Sequence, residues 1–117
     1  MIAVIFEVGP AQGQRQAYLD LASALRDDLW QIEGFISVER FQSLTDPSRI
    51  LSLSFWRDED AVRRWRNRPG HRATQREGRQ GVFADYRLRV ATVIRDYGLH
   101  DRAEAPDDSR RVHDPSL

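Results

Sequence analysis

The chain has no cysteine, no lysine, one methionine and three histidines among 117 residues. Without cysteine there can be no disulfide, no thiol nucleophile and no cysteine-ligated zinc. No apolar run approaches the roughly 18 residues that a membrane-spanning helix needs. The N-terminal Met1–Phe6 segment lacks a basic leader region and runs at once into Glu7, so it does not read as a secretory signal. A cytoplasmic protein without membrane association is expected. The eighteen basic residues, all arginine, balance eighteen acids to a net charge of zero. A GC-rich genome accounts for the arginine bias. The zero balance argues against general nucleic-acid binding.

What is present is alternation in two periods. Ile2, Val4, Phe6 and Val8 alternate with Ala3, Ile5 and Glu7, a strand with two largely apolar faces. Gly9, Pro10 and Gly13 end it. From about Gln14 to Ile32 the period turns helical, with Tyr18, Leu21, Ala22, Leu25 and Leu29 on one stripe. Phe35–Gln42 and Ile50–Trp56 read as a hairpin across the Asp46–Pro47–Ser48 turn. In the first of these strands Ile36 and Val38 oppose Phe35, Ser37, Glu39 and Phe41. Asp58–Glu59–Asp60 opens a second helix, as acids suit a helix N-terminus. Pro69–Gly70 interrupts it, and a further segment spans about His71–Arg79. Phe83–Tyr97 reads as one long last strand. Beyond Gly98 no period survives, so residues 1–98 are expected to form the domain and 99–117 a polar, disordered tail.

The order β-α-β-β-α-β predicts an α+β, ferredoxin-like fold: a four-stranded antiparallel sheet with both helices on one face. The other face is left bare, and strands one and four carry apolar residues on both faces. Covering such a face is favourable at about 25 cal/mol per Å². A second copy is the simplest cover, so a homodimer with sheet against sheet, a dimeric α+β barrel, is expected.

Several residues carry candidate chemistry. His71 is the only histidine within the expected domain, and its ordinary pKa suits proton transfer. The plain alternative is a surface or capping histidine. Trp65 lies on the short apolar stripe of helix two and could wall a pocket or simply pack. Trp56 and Trp30 read as structural. Ser52 and Ser54 share a strand face and could leave room for a cavity, and Glu7 could sit at its mouth. The arginine-rich run Arg63–Arg68 reads first as a solvated helix face, then as a site for an anion. The strand Ile50–Trp56 lacks the basic-glycine-aromatic motif of RNA-binding domains with the same element order. His100 and His113 lie in the tail, and no histidine pair has metal-ligand spacing. No phosphate-binding glycine loop is present.

Glu33–Gly34–Phe35–Ile36, Ser54–Phe55–Trp56–Arg57–Asp58–Glu59–Asp60–Ala61, and Trp65 followed by His71 together resemble the antibiotic biosynthesis monooxygenase domain over about residues 2–97. The stretch from Phe83 to Gly98 looks like a bacterial branch of it. The resemblance implies a homodimer with a pocket between each sheet and its helices. It implies a small-molecule substrate, here a hydroxylated aromatic of the anthrone or hydroquinone type, oxidised with dioxygen and no cofactor. In that reading His71 and Trp65 are catalytic. His71 assists proton transfer or holds a substrate oxygen, and Trp65 walls the pocket. Arg68 or Arg72 stabilises a phenolate, with Ser52, Ser54 and Glu7 lining the substrate. A non-catalytic dimeric ligand-binding or stress-associated protein is the alternative on the same fold. Haem degradation ranks below both, because that branch has an asparagine in strand one and Ile2–Val8 has none. A third branch acts on small sugar-like phosphates, and the arginine excess does not select it.

Overall fold

The computed structural model describes residues 1–114. Strand β1 (Ile2–Pro10) is followed by α1 (Arg15–Ala24), α2 (Arg26–Trp30), β2 (Phe35–Gln42) and β3 (Ile50–Trp56). Then come α3 (Glu59–Arg66), α4 (Pro69–Glu77), a wide π-helical turn (Gly78–Val82), β4 (Phe83–Thr92) and α5 (Asp107–His113). The strands form one antiparallel sheet in the order β2-β3-β1-β4, as the ferredoxin-like arrangement requires. Among the described residues no helix is long and apolar enough to cross a membrane.

Register assigns every side chain to a face, because directly opposed residues point the same way. Ile2, Val4, Phe6 and Val8 oppose Trp56, Ser54, Ser52 and Ile50 across one side of β1. They oppose Thr92, Val90, Leu88 and Tyr86 across the other. This is the helix-covered face. Its core has two centres: Leu29, Ile32, Trp56, Ala61 and Val62 at one end, and Val8, Tyr18 and Ile50 at the other.

The hairpin departs from simple alternation at its start. Phe35 opposes Trp56 while Ser37 opposes Phe55, so Ile36 is an extra, bulged residue. The bulge turns Phe35 to the helix side, away from Ser37, Glu39 and Phe41. There its ring meets Trp56 edge-on at 5.1 Å and Trp30 at 5.0 Å. Gly34 makes this entry possible. Its φ is +93°, and a Cβ would lie 2.8 Å from the Ala61 Cβ. The following helix is capped by the Asp58 carboxylate, which accepts from the Ala61 N–H at 2.9 Å.

The bare face differs in detail from expectation. Ala3, Ile5, Leu51, Leu53, Phe55 and Phe41 supply its apolar surface, from β1, β3 and β2. On β4 it carries Asp85, Arg87, Arg89 and Ala91, with Glu7 paired to Arg89 and Arg49 at 3.3 and 3.4 Å. The large apolar residues of β4, Tyr86, Leu88 and Val90, lie on the helix side and are half-exposed at its edge.

Two segments differ in extent from the sequence reading. The first helix is divided at Leu25 into α1 and α2. The last strand stops at Thr92, because the ladder ends where β1 begins: the Val93 N–H donates to the Met1 carbonyl at 3.0 Å. Where composition suggests a disordered tail, residues up to 114 wind around Arg102. Its guanidinium donates to both carboxylate oxygens of Asp114 at 3.1–3.2 Å, to Ser109 Oγ at 2.9 Å and to the Gly98 carbonyl at 3.1 Å. It also lies 5.4 Å from the Tyr97 ring centroid. Positions 115–117 of the expected tail lie outside the described residues. The arm's side-chain hydrogen bonds are internal to residues 95–114. The radius of gyration is 17.2 Å, against about 13 Å for a compact chain of this length.

Candidate active site

A cavity of about 320 Å³ lies between the helix-covered face and the helices. That is within the range of small-molecule sites. Its floor is Val4 and Phe6 of β1, Ser52, Ser54 and Trp56 of β3, Val38 and Arg40 of β2, and Leu88 of β4. Leu21, Leu25 and Leu29 wall it from α1, α2 and the turn between them. Trp65 of α3 and His71, Thr74 and Gln75 of α4 close another side. The serines matter by size, since a larger residue at either position would fill the floor.

Pro69 and Gly70 place His71 beside Trp65. The break after Arg66 lets α4 start in a new direction, with Pro69 in its first turn. Arg68 then donates to Asp28 at 3.1 Å and ties the start of α4 to α2. The His71 ring meets Trp65 edge-on at 4.4 Å, and Trp65 lies 6.3 Å from Trp56 with the rings inclined by 28°. Trp56 is fixed in turn by its buried indole N–H, which donates to Ser54 Oγ at 2.9 Å. A continuous aromatic wall thus runs from Trp30 through Phe35, Trp56 and Trp65 to His71.

His71 Nδ1 is buried and has no hydrogen-bond partner among the described residues. Such an atom costs free energy until something pairs with it. Burial first, and then the nearby positive charges of Arg72 and Arg66, lower the imidazole pKa to about 4. The ring is therefore neutral near pH 7. A neutral imidazole with so low a pKa is a hydrogen-bonding group first. It acts as a base only toward a proton already acidified by conjugation.

Of the residues singled out from sequence, the cavity gathers His71, Trp65, Ser52 and Ser54. It does not gather Arg68, Arg72 or Glu7. Arg68 is held by Asp28, and Arg72 donates to Gln75 and Asn67. Glu7 points to the bare face, because it alternates with Phe6 and Val8. The arginine-rich run is mostly engaged: Arg63 pairs with Asp60 at 2.6 Å and Arg64 donates to the Glu33 carbonyl. The charged residues that do line the cavity, Arg40 and Arg79, were not singled out. Arg40 was legible as the residue two after Val38 on the same strand. Arg79 was not, since the wide turn Gly78–Val82 that presents it has no sequence period.

A match to the antibiotic biosynthesis monooxygenase family spans residues 1–77. The chain belongs to the antibiotic biosynthesis monooxygenase family. A relative from Pyricularia oryzae, named jasmonate monooxygenase ABM, is 50% identical over 93 residues, covering 80% of this chain and 43% of that protein. The Bacillus subtilis protein YqjZ is 34% identical over 62 residues, covering 53% of each. The chain thus spans about half the length, or less, of these relatives, which come from a fungus and a bacterium. Among solved structures, one from Deinococcus radiodurans named for the same family superposes with a TM-score of 0.75 at 12% identity, covering 85% of this chain and 98% of that one. A structure from Mycobacterium tuberculosis gives 0.74 at 16%, covering 83% and 98%. At such identities the superpositions establish the family fold. The 50% match carries the closer kinship.

Proposed function

We propose that this family member is a monooxygenase that inserts oxygen from dioxygen into a compact, largely apolar cyclic substrate held in the cavity beside Trp65 and His71. The observation that carries the reading is the unpaired, buried Nδ1 of a neutral His71 at the wall of an aromatic-lined cavity. A substrate hydroxyl or enol fits that need. The flat ring of such a substrate packs against Trp65 and Trp56.

In the cofactor-free version of the reaction with an anthrone, the ring CH2, conjugated through the arene rings with the carbonyl, loses a proton. The resulting carbanion gives electrons to dioxygen. One oxygen atom becomes a new carbonyl and the other leaves as water, so the substrate supplies all the electrons. His71 receives or steers the proton, and the apolar walls keep water from the carbanion. The kinship with a protein named for jasmonate adds a cyclic ketone acid to the anthrones and hydroquinones as candidate substrates.

The proposal includes a homodimer formed through the bare sheet face, whose apolar centre of Ala3, Ile5, Leu51, Leu53 and Phe55 would be covered by the same surface of a second copy. Light scattering at micromolar concentration tests it, and a monomer refutes it.

Oxygen uptake by the purified protein tests the activity. The panel is anthrone, substituted hydroquinones and jasmonate, with wild type beside His71→Ala. Protein-dependent uptake that falls at least tenfold in the variant supports the assignment. Equal uptake in both keeps the oxygenase and removes His71 from the chemistry. No uptake with any member favours a non-catalytic ligand-binding protein instead.

A further inference from the structure

The cavity has a polarity that the oxygenase reading does not use. Its charged lining residues are Arg40 and Arg79, and no aspartate or glutamate lines it. Both arginines are solvent-exposed, and the lining carries two cationic side chains and no carboxylate. A cavity of apolar walls and uncompensated positive charge suits an amphipathic anion.

The two arginines are not equivalent. Arg79 donates to the Tyr86 hydroxyl at 2.9 Å, at the β4 edge. Arg40 makes no hydrogen bond or ion pair among the described residues. It sits on β2, at the opposite edge of the sheet. Three strand spacings, about 14 Å, separate the two edge strands, so the two guanidinium groups approach the cavity from opposite sides. Register puts Arg40 directly opposite Ser52, Ser52 opposite Phe6, and Phe6 opposite Leu88. One transverse row across the floor therefore reads guanidinium, hydroxyl, aromatic, aliphatic. The Ser52 hydroxyl also lacks a partner among the described residues. Directly opposed side chains have Cβ atoms about 5 Å apart, so Arg40 and Ser52 bring their donors from neighbouring positions at one end of a largely apolar trough.

We infer that Arg40, with Ser52 beside it, anchors the carboxylate of a substrate whose apolar body lies along the trough. The cavity thus selects carboxylic acids of compact hydrocarbon skeleton over their esters and alcohols. The planar, bidentate match of guanidinium to carboxylate gives the anchor direction as well as affinity. It fixes which end of the molecule faces the β2 edge. This assignment rests on the reading of the cavity as the substrate site, but not on the oxygen chemistry.

The test is a binding comparison in matched pairs. The probes are octanoate and 1-naphthaleneacetate, each with its methyl ester, followed by quenching of tryptophan fluorescence and by calorimetry at pH 7. Wild type should bind each acid roughly tenfold or more tightly than its ester, the range of one charge-assisted contact. Arg40→Gln should erase that preference, and Arg40→Lys should restore part of it. An unchanged urea-unfolding midpoint shows that the variant is folded. Equal binding of acid and ester by wild type overturns the inference. So does failure of every acid to bind, or a preference that survives Arg40→Gln and disappears in Arg79→Gln. Acid preference through Arg40 without oxygen uptake would leave the anchor standing and remove the oxygenase. Oxygen uptake indifferent to the carboxylate would do the reverse.

Discussion

Acidifying the protein from pH 7 to pH 5 should destabilise it through His71 in particular. Burial, together with Arg72 and Arg66, lowers the folded-state pKa to about 4 from the ordinary 6.5. Above pH 6.5 both folded and unfolded chains hold the imidazole neutral, so it adds nothing to the pH dependence. As pH falls below 6.5 the unfolded chain binds a proton that the folded chain refuses, and unfolding gains. The loss grows until about pH 4 and then levels off, because both states are protonated. For these two pKa values the loss between pH 7 and pH 5 comes to about 2 kcal/mol. The ring is partly exposed, so solvent screening brings the expected figure to about 1–2 kcal/mol. Urea unfolding at the two pH values, at one fixed protein concentration, measures it as a midpoint shift of about 1 M. Other groups titrate over the same range, so the comparison is with His71→Leu, which keeps an apolar side chain there and cannot titrate. Subtracting its pH dependence from that of wild type isolates the histidine. Identical pH dependence in both proteins would refute the reasoning, and so would a larger loss in the variant.

Further predictions follow from single contacts. Ser54→Ala leaves the buried Trp56 indole N–H without its acceptor and should cost about 1–3 kcal/mol in chemical unfolding. An unchanged stability would mean that the indole finds another partner. Gly34→Ala meets both a left-handed φ and the Ala61 side chain, and should lose about 2 kcal/mol or more. Gly78→Ala drives a methyl into the Phe83 ring and should lower the melting temperature while disturbing the cavity wall. Arg102→Ala removes the centre of the C-terminal arm, so limited proteolysis should cut faster within residues 95–114. The melting temperature of the sheet domain should stay unchanged, because the partners of Arg102 all lie in the arm. A fall in that melting temperature would show that the arm braces the sheet.

How far the sequence reaches can be judged at particular residues. The alternation Ile2-Val4-Phe6-Val8, the helical stripe from Tyr18 to Leu29 and the acidic start at Asp58 each state a local period. A local period fixes which side chains share a face before any tertiary contact exists. That is why the element order, and with it the ferredoxin-like sheet, was legible from the start. The same holds for Trp65, His71, Ser52 and Ser54, whose faces follow from their own elements and which the fold then brings to one cavity.

Other features depend on a partner distant in the chain, and no local period records them. The bulge at Ile36 moves Phe35 to the aromatic wall only because β3 fixes the register. The end of β4 at Thr92 is set by where β1 begins. Arg68 and Arg72 lie close to His71 in sequence, yet Asp28 and Asn67 draw their guanidinium groups to other partners, while Arg40 comes to the floor from a remote strand. The arm around Arg102 forms because Asp114, Ser109 and Gly98 converge on one guanidinium, a condition of geometry rather than composition. Sequence by itself determined the strands and helices of the sheet domain in outline, their order and the family. Tertiary structure alone decided which charges face the cavity, because pairing across strands and between helices, not spacing along the chain, chooses the partner of each charged group.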